Sequence, residues 1–337
     1  APAGRAVLDG FLAAHYAARK RGEATPDLMV LDESDFASSV AAYEHAVSGG
    51  ADIVIGPLTK LAVAELGTQL ERPVPVLALN RTDGLLPASG SPLVQLSLAP
   101  EEEAAQLADY AFGEGARQAV ILSPRDAWGD NLRAALSSRW QALGGRVVAS
   151  SSYVDEQEYS PSIERALGLT DSNARAQLVQ DLLGTPVEST PRRRQDADVV
   201  FLLARNSAQA KALKPLLAFH YAGDLPVYAT SSAYSGVSRP DDRDLRGIRL
   251  LESPWLLEEQ NAMRTTLNRS GLAGDAYPRL NALGADAYLL QAEFPRLAAG
   301  PDALLRGSTG LLSMDPQLHI QREMSPATFD GDTVRPR

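Results

Sequence analysis

Short apolar runs and amphipathic stretches alternate along the chain, and the clearest example lies in its second half. Residues 199–203 form an apolar run rich in β-branched and aromatic side chains, which is typical of a strand buried on both faces. Residues 207–222 then place apolar side chains at helical spacing, and residues 226–229 form the next apolar run. This pattern predicts a β-α-β unit with a right-handed crossover. Its second strand leads into the polar loop 230–232, at the edge where α/β sheets usually bind ligands.

The same alternation predicts elements along the rest of the chain. Further strands are expected at residues 28–31, 53–55, 76–79, 93–96, 118–122, 146–153 and 248–251. Helices are expected at residues 5–19, 36–47, 100–112, 128–143, 163–167, 174–183, 258–268 and 280–297. Residues 309–329 alternate around a turn at Asp315 and Pro316, which indicates an antiparallel pair of strands.

Two blocks of alternating strands and helices predict an α/β protein with two doubly wound, Rossmann-like lobes around a cleft. A chain of 337 residues also exceeds what one hydrophobic core usually holds. We expect lobe 1 to contain residues 1–116 and 247–303, and lobe 2 to contain residues 117–246 and 304–337.

Composition limits the classes of partner and chemistry. The net charge of −10 disfavours nucleic acid or an anionic membrane as the main partner. The absence of cysteine excludes disulfides, thiol catalysis and thiolate metal sites. No apolar run approaches the roughly 18 residues of a membrane span. The chain begins APAGRAV without an initiator Met, which suggests an excised or processed piece of a longer protein.

The sequence contains no recognisable catalytic, cofactor or metal motif. The four histidines, His15, His45, His220 and His319, are scattered, and no phosphate-binding glycine loop, GxSxG elbow or SxxK pair occurs. We therefore expect no catalytic residues, no bound metal and no cofactor. Asp126, near the start of a predicted helix, is interpreted as a cap rather than a general acid.

Residues that follow predicted strands are the candidate binding residues. They are expected to line the cleft, because ligands of α/β sheets bind at the carboxyl ends of strands. Ordinary turn chemistry is an equally good explanation for the hydroxyls among them. These candidates are Gly56, Pro57, Leu58, Thr59, Asn80, Ser123, Arg205, Thr230, Ser231 and Ser232. They lack a clear ion-pairing set, so we expect weak or no binding of small ligands. Arg192, Arg193 and Arg194 form a candidate partner surface, although they also suit a solvated lead into the strand at 199–203.

Several phrases, in one order along nearly the whole chain, carry a specific resemblance. They are GRAVLDGF, IGPLTK, RRRQDADVVFLLA, YAGDLPVYATS, DLRGI, ESPWLL, RLNALGADAYLL and GSTGLLSMD. In these phrases the chain resembles the C-terminal domain of the LpoA family, outer-membrane lipoproteins that activate class A penicillin-binding proteins. The two-lobed plan is similar to that of type I periplasmic binding proteins.

The resemblance implies a function and a location. The chain would be a non-enzymatic activator of peptidoglycan synthesis in the periplasm, with a class A penicillin-binding protein as partner and a lipid anchor in the full-length protein. The fold alone leaves a second hypothesis open, a periplasmic binding protein for an amino acid or amide-like molecule.

The chain also departs from the family in two respects. This sequence includes neither the N-terminal helical-repeat domain nor the lipidated N-terminus of the family, and we expect the anchor to belong to the full-length protein. The family further has a strand before the first helix, expected to lie between the strands at 28–31 and 53–55. Leaving that strand out would cost ladder hydrogen bonds on both flanks, so we expect the molecule to have it although this sequence does not include it.

Overall fold

Strands and helices alternate through a computed structural model that describes residues 2–69, 71–85, 89–185, 188–258, 261–270, 277–297 and 303–337. The helices are α1 (Pro2–Lys20), α2 (Ser39–Ser48), α3 (Lys60–Gly67), α4 (Pro100–Gly113), α5 (Ala127–Ala142), α6 (Glu156–Ala166), α7 (Leu169–Leu183), α8 (Ser207–Phe219), α9 (Pro254–Leu257), α10 (Ala262–Ser270) and α11 (Pro278–Leu297). The strands are β1 (Val54–Ile55), β2 (Glu71–Arg72), β3 (Val76–Ala78), β4 (Ser89–Gly90), β5 (Leu93–Leu96), β6 (Gln118–Pro124), β7 (Arg146–Tyr153), β8 (Val199–Leu202), β9 (Val227–Ala229), β10 (Arg249–Glu252), β11 (Leu305–Arg306), β12 (Leu311–Met314), β13 (His319–Glu323), β14 (Ser325–Asp330) and β15 (Thr333–Pro336).

The described chain forms two compact units. Unit 1 consists of Ala1–Ala99 and Ser253–Met324, and unit 2 consists of Pro100–Glu252 and Ser325–Arg337. These bounds differ from the predicted lobes, because α4 and β10 belong to unit 2 and the strands from β11 to β13 belong to unit 1. Long-range pairing explains both differences. β13 pairs with β5 in parallel, whereas β10 pairs with β9.

Sheet 1, in unit 1, has the strand order β1-β3-β5-β13-β12-β11. The pairs β1/β3, β3/β5 and β5/β13 are parallel, and β12 pairs antiparallel with both β13 and β11. Alternate side chains enter separate clusters: Leu77 packs with residues of α1 and α11, and Val76 packs with residues of α2 and α3. Helices therefore cover both faces of the sheet, as the doubly wound prediction requires. The predicted turn at 315–316 does join an antiparallel pair, β12 and β13.

Sheet 2, in unit 2, has the order β15-β14-β10-β9-β8-β6-β7. Its strands from β10 to β7 are parallel, and β14 and β15 add an antiparallel edge. β8 is central, and all four of its side chains are buried, which confirms the strand predicted at 199–203. Aromatic rings continue the core: Trp140 lies edge-on to Phe112 and Phe201, and Tyr228 lies beside Phe201.

The strand predicted at residues 28–31 is wrong. Residues 23–32 lie outside helices and strands, and Leu28, Met29 and Val30 are exposed. A short apolar run becomes a strand only where a neighbour offers ladder hydrogen bonds, and the described residues supply none here. The additional family strand expected beside β1 stays a prediction.

Two glycines bring α1 and α11 unusually close together. A Cβ on Gly284 would lie 1.9 Å from the carbonyl oxygen of Val7, and a Cβ on Gly10 would lie 1.9 Å from that of Asn281. The Asn281 side-chain amide donates a hydrogen bond to the carbonyl of Ala6 at 3.0 Å. Two of the phrases that carry the family resemblance therefore encode a helix crossing that only glycine permits.

Candidate functional site

The loop after β9 uses its polar groups internally. The backbone N–H and the hydroxyl of Ser231 both donate to the buried carboxylate of Glu103, the hydroxyl at 2.9 Å. The Thr230 and Ser232 hydroxyls lie 2.7 Å apart, and Ser232 donates to the carbonyl of Ala204 at 2.5 Å. Glu103, in the first turn of α4, thus organises this loop as well as complementing the helix dipole. The observed bonds agree with the turn-chemistry interpretation of these hydroxyls.

A second group of candidates lies after β6 and β8 of unit 2. Arg205 makes a 2.7 Å ion pair with Asp126, and its guanidinium carbon lies 5.0 Å from the Trp128 ring centre. Asp126 caps α5 by accepting a hydrogen bond from the Gly129 N–H at 2.9 Å, which confirms its predicted capping role. The hydrogen bond from Arg205 lowers the pKa of Asp126. The Ser123 hydroxyl is fully buried and has no hydrogen-bond partner within the described chain.

The candidates in unit 1 are held together at one edge of sheet 1. The Asn80 side-chain amide donates to the Leu58 carbonyl at 2.8 Å, and the Leu79 N–H donates to the Pro57 carbonyl at 2.9 Å. Thr59 caps α3 by accepting a hydrogen bond from the N–H of Ala62 at 3.3 Å. These contacts tie the loop after β1, which begins at residue 56, to the end of β3. The polar atoms of these candidate residues therefore stabilise the conformation of the loops.

The ten cleft candidates thus fall into two groups. Residues 56–59 and Asn80 lie at the carboxyl edge of sheet 1, and Ser123, Arg205 and residues 230–232 lie at the carboxyl edge of sheet 2. Placement at strand ends agrees with the sequence argument. That the two groups line one cleft stays a prediction.

The three consecutive arginines divide into two roles. Arg193 pairs with Asp224 at 2.7 Å and donates to the carbonyl of Tyr221 at 2.7 Å. Arg194 pairs with Asp196 at 2.7 Å, and this contact raises the pKa of Arg194. Arg192 is exposed, and within the described residues its guanidinium makes no ion pair. Arg193 and Arg194 therefore help to fasten the segment that leads into β8. That the three arginines form a partner surface stays a prediction.

Sequence reasoning missed Asp286, a buried carboxylate in α11 of unit 1. It accepts hydrogen bonds from the Ser308 N–H at 2.5 Å, the Thr309 N–H at 2.8 Å and the Thr309 hydroxyl at 2.6 Å. Burial raises the pKa of Asp286, and these hydrogen bonds and Arg322 oppose that rise. The Ser308 carbonyl in turn accepts a hydrogen bond from the backbone N–H of Trp255, whose side chain is packed in the core.

The Asp286 contacts join three of the phrases on which the family resemblance depends. Asp286 belongs to RLNALGADAYLL, Ser308 and Thr309 to GSTGLLSMD, and Trp255 to ESPWLL. The sequence did contain a signal for this contact, a single charged residue within an apolar helical stretch. Such a residue needs a polar partner when it is buried. These phrases therefore specify the framework of unit 1.

A serine–histidine contact in unit 2 was also missed. The Ser160 hydroxyl lies 2.7 Å from His220 Nε2, and Glu164 Oε1 lies 3.9 Å from His220 Nδ1. Burial lowers the pKa of His220, so the ring is neutral at pH 7. The Glu164 carboxylate is beyond hydrogen-bond distance and does not orient the ring. The contact links α6 to the end of α8.

The described residues show neither a metal-binding cluster nor a membrane-spanning helix. No group of three or more His, Asp or Glu side chains is close enough there to hold a metal ion. None of the helices in those ranges is both long and apolar enough to cross a bilayer.

The chain is similar to known proteins over nearly its whole length. The family described as LppC putative lipoprotein matches residues 1–331. The chain belongs to the LppC family. This LppC chain is 31% identical over 336 residues to a protein of Photobacterium profundum named penicillin-binding protein activator LpoA. The match covers 99% of the chain and 54% of that relative, so the chain spans about half the length of the curated relative.

Solved structures confirm the fold of the LppC chain. The LpoA (YraM) C-domain of Haemophilus influenzae, described as a regulator of PBP1A, matches with a TM-score of 0.75 at 22% identity, covering 100% of this chain and 95% of that one. A putative branched-chain amino acid ABC transporter protein of Chromobacterium violaceum matches with a TM-score of 0.68 at 26% identity, covering 97% and 94%. Both neighbours agree with the predicted periplasmic-binding-protein-like α/β architecture.

Proposed function

We propose that this chain binds and activates a class A penicillin-binding protein and performs no bond chemistry of its own. The observation that carries the proposal is the match of nearly the whole chain to a relative named as a penicillin-binding protein activator. The relatives carry names of activators and regulators, and their names mention no reaction.

The geometry supports a binding role. The hydroxyls at the ends of the sheet 2 strands mostly bond to neighbouring backbone or to Glu103. The Ser160–His220 contact lacks a carboxylate at hydrogen-bond distance from the ring. A catalytic serine needs a base that is itself held in place, together with donors for the oxyanion. These contacts support the part of the proposal that gives the chain no bond chemistry of its own.

Activation by binding has a clear energetic requirement. The chain must prefer the active conformation of its partner, since equal affinity for both conformations shifts nothing. A tenfold shift needs about 1.4 kcal/mol of differential contact, which one or two buried side chains can supply.

The proposed location follows from the same relationship. The family is described as a putative lipoprotein. We place the full-length protein at the outer membrane through a lipid anchor, with this part of it in the periplasm, where peptidoglycan is assembled.

A second function has one observation in its favour. The Ser123 hydroxyl is buried and has no hydrogen-bond partner among the described residues, and it lies one residue before the end of β6, at the edge where α/β sheets bind ligands. The alternative, an amino-acid or amide-binding protein, predicts a thermal shift with a suitable ligand, about 2.7 kcal/mol at 100 times the dissociation constant. The hydroxyls of residues 230–232 already form hydrogen bonds within the protein, so they give little support to a ligand site. The activator role is therefore favoured over the amino-acid-binding alternative.

The decisive experiment measures glycan polymerisation and peptide crosslinking by the cognate class A penicillin-binding protein, with and without the 337-residue chain. We expect binding and an increase in at least one of the two rates. Stimulation by the full-length protein together with no effect of this chain would overturn the proposal for the chain. Cleavage of purified peptidoglycan by the chain alone would contradict the non-enzymatic part.

A further inference from the structure

Helix α7 of unit 2 exposes its largest apolar side chains. Leu178, Val179, Leu182 and Leu183 are 69%, 46%, 84% and 58% exposed, respectively. We name these four residues the α7 ridge. An isolated surface leucine is normal in a folded protein, but four adjacent apolar residues form a patch that calls for a partner.

The ridge occupies one side of the helix. At about 100° per residue, positions 178, 179, 182 and 183 fall within a sector of about 140°. The side that contacts the rest of unit 2 is centred elsewhere on the helix and overlaps only one edge of the ridge sector. It is formed by the buried Leu169 and the half-buried Ser172, Ala176 and Gln180, which fall within about 80°. Beyond Leu169, small and polar residues attach α7 to its unit, whereas the leucines at positions 178, 182 and 183 face solvent. This arrangement is the reverse of an ordinary amphipathic surface helix.

Two exposed arginines lie on or next to α7, one on the side of the ridge and one bound to the helix nearer its start. Arg175 precedes Leu178 and Val179 by about one turn, on the same side of α7, and it is exposed. Arg192 is linked to α7 by its backbone N–H, which donates to the Ser172 hydroxyl at 3.1 Å. In the part of the chain described, neither guanidinium has a carboxylate within ion-pair distance, although the whole chain carries a net charge of −10. Nearby Asp181 accepts a hydrogen bond from Gln177 at 2.9 Å. A complementary surface would be apolar at its centre and acidic at its rim.

The area of the ridge argues against self-association as its main purpose. Four side chains exposed to this extent form a patch comparable to the largest one on a typical monomer, roughly 300–600 Å². A stable interface of standard size needs about 800 Å² from each partner. The ridge is therefore suited to anchor a helix in a groove within a larger contact, a recognised mode of protein binding.

We propose that the α7 ridge inserts into an apolar groove with an acidic rim on the penicillin-binding protein, and that Arg175 and Arg192 pair with that rim. This inference rests on the proposed function and adds the contact surface to it.

The test measures the affinity of the purified penicillin-binding protein for the 337-residue chain and its variants by surface plasmon resonance. For Leu178→Glu/Leu182→Glu we expect at least about tenfold weaker binding, the loss of about 1.4 kcal/mol. Leu178→Ala/Leu182→Ala keeps the helix-forming tendency and should weaken binding in the same direction. The matched control is Leu61→Glu, because Leu61 is 85% exposed on α3 of unit 1, and its affinity should stay within about twofold. Arg175→Glu should weaken binding most at low salt, because salt screens an exposed charge pair.

Each outcome has a distinct meaning. Folded ridge variants that bind as tightly as the unsubstituted chain overturn the assignment of the ridge and leave the proposed function intact. An unsubstituted chain that neither binds nor stimulates the synthase contradicts the proposed function itself. Sedimentation of the unsubstituted chain as a dimer, with a monomeric ridge variant that still binds the synthase, would assign the ridge to a second copy instead.

Discussion

Removing the carboxylate of Asp286 is expected to destabilise unit 1 more than any surface substitution. The change Asp286→Ala leaves the Ser308 N–H, the Thr309 N–H and the Thr309 hydroxyl without their acceptor. Hydrogen bonds to a charged group contribute roughly 1.5–3 kcal/mol each, and the desolvation of the carboxylate offsets part of the sum. We expect a net loss of about 3–5 kcal/mol in the free energy of unfolding, comparable to breaking a buried ion pair. Stability of a whole domain is only about 5–15 kcal/mol.

Two further variants at this site separate charge from packing. Asp286→Asn keeps the shape but turns an amide N–H₂ toward a backbone donor, so we expect it to lose about 2–4 kcal/mol. Thr309→Val removes one of the three hydrogen bonds and should cost about 1–2 kcal/mol.

Urea unfolding at pH 7 measures these losses, with circular dichroism for the whole chain and tryptophan emission for local structure. Trp255 is the one of the three tryptophans next to this site, because its backbone N–H donates to the carbonyl of Ser308 at 3.0 Å. Asp83→Ala is the matched control, since the Asp83 side chain is 96% exposed, and it should cost under about 0.5 kcal/mol. An Asp286→Ala chain within about 0.5 kcal/mol of the parent would refute the view that this carboxylate anchors the loop.

Three other substitutions test the framework. Burial lowers the folded-state pKa of His220, so the unfolded chain binds the proton first, and the stability of the parent chain falls as the pH drops below about 6.5. His220→Gln should remove this contribution and flatten the dependence of stability on pH. Urea midpoints at pH 7.5 and 5.5 measure the difference. Gly284→Ala should cost about 3 kcal/mol by pushing α1 from α11, whereas Gly113→Ala, with no atom near its Cβ, should be neutral or slightly stabilising in thermal unfolding. Glu103→Ala should cost about 2–3 kcal/mol by freeing two Ser231 donors, and an equal loss for Glu101→Ala would contradict that reason.

Local pattern was sufficient to predict most strands and helices. The bounds of β7 and the buried run of β8 follow from periodicity alone, because both segments are long or continuously apolar. Pattern failed for residues 28–31, where an apolar run of four residues has no strand beside it. It failed again at the unit boundaries, because the pairings of β13 with β5 and of β10 with β9 join distant parts of the chain.

The candidate site shows the same limit. Residue type and position at strand ends correctly indicated which loops lie at the carboxyl edges of the sheets. The partners of those residues could not be predicted, since Glu103 meets Ser231 across 128 positions of sequence. Asp286 likewise meets Thr309 only after α11 and β11 have been placed. A charged residue in an apolar helix predicts a buried polar contact, but the sequence alone does not identify the partner residue.

The division of each unit into two separated segments affects the order in which a ribosome can complete them. Residues 100–252 supply all the parallel strands of sheet 2, but β14, which pairs with β10, is made only after residues 253–324. At roughly 5–20 residues per second, that interval lasts on the order of several seconds. During it, β10 presents an unpaired edge, the feature of a nascent chain that invites mispairing or aggregation. Sheet 1 waits in the same way for β13 before β5 gains its second neighbour. During chain elongation both sheets therefore remain incomplete at the same time. Each is completed only by strands from the last quarter of the sequence.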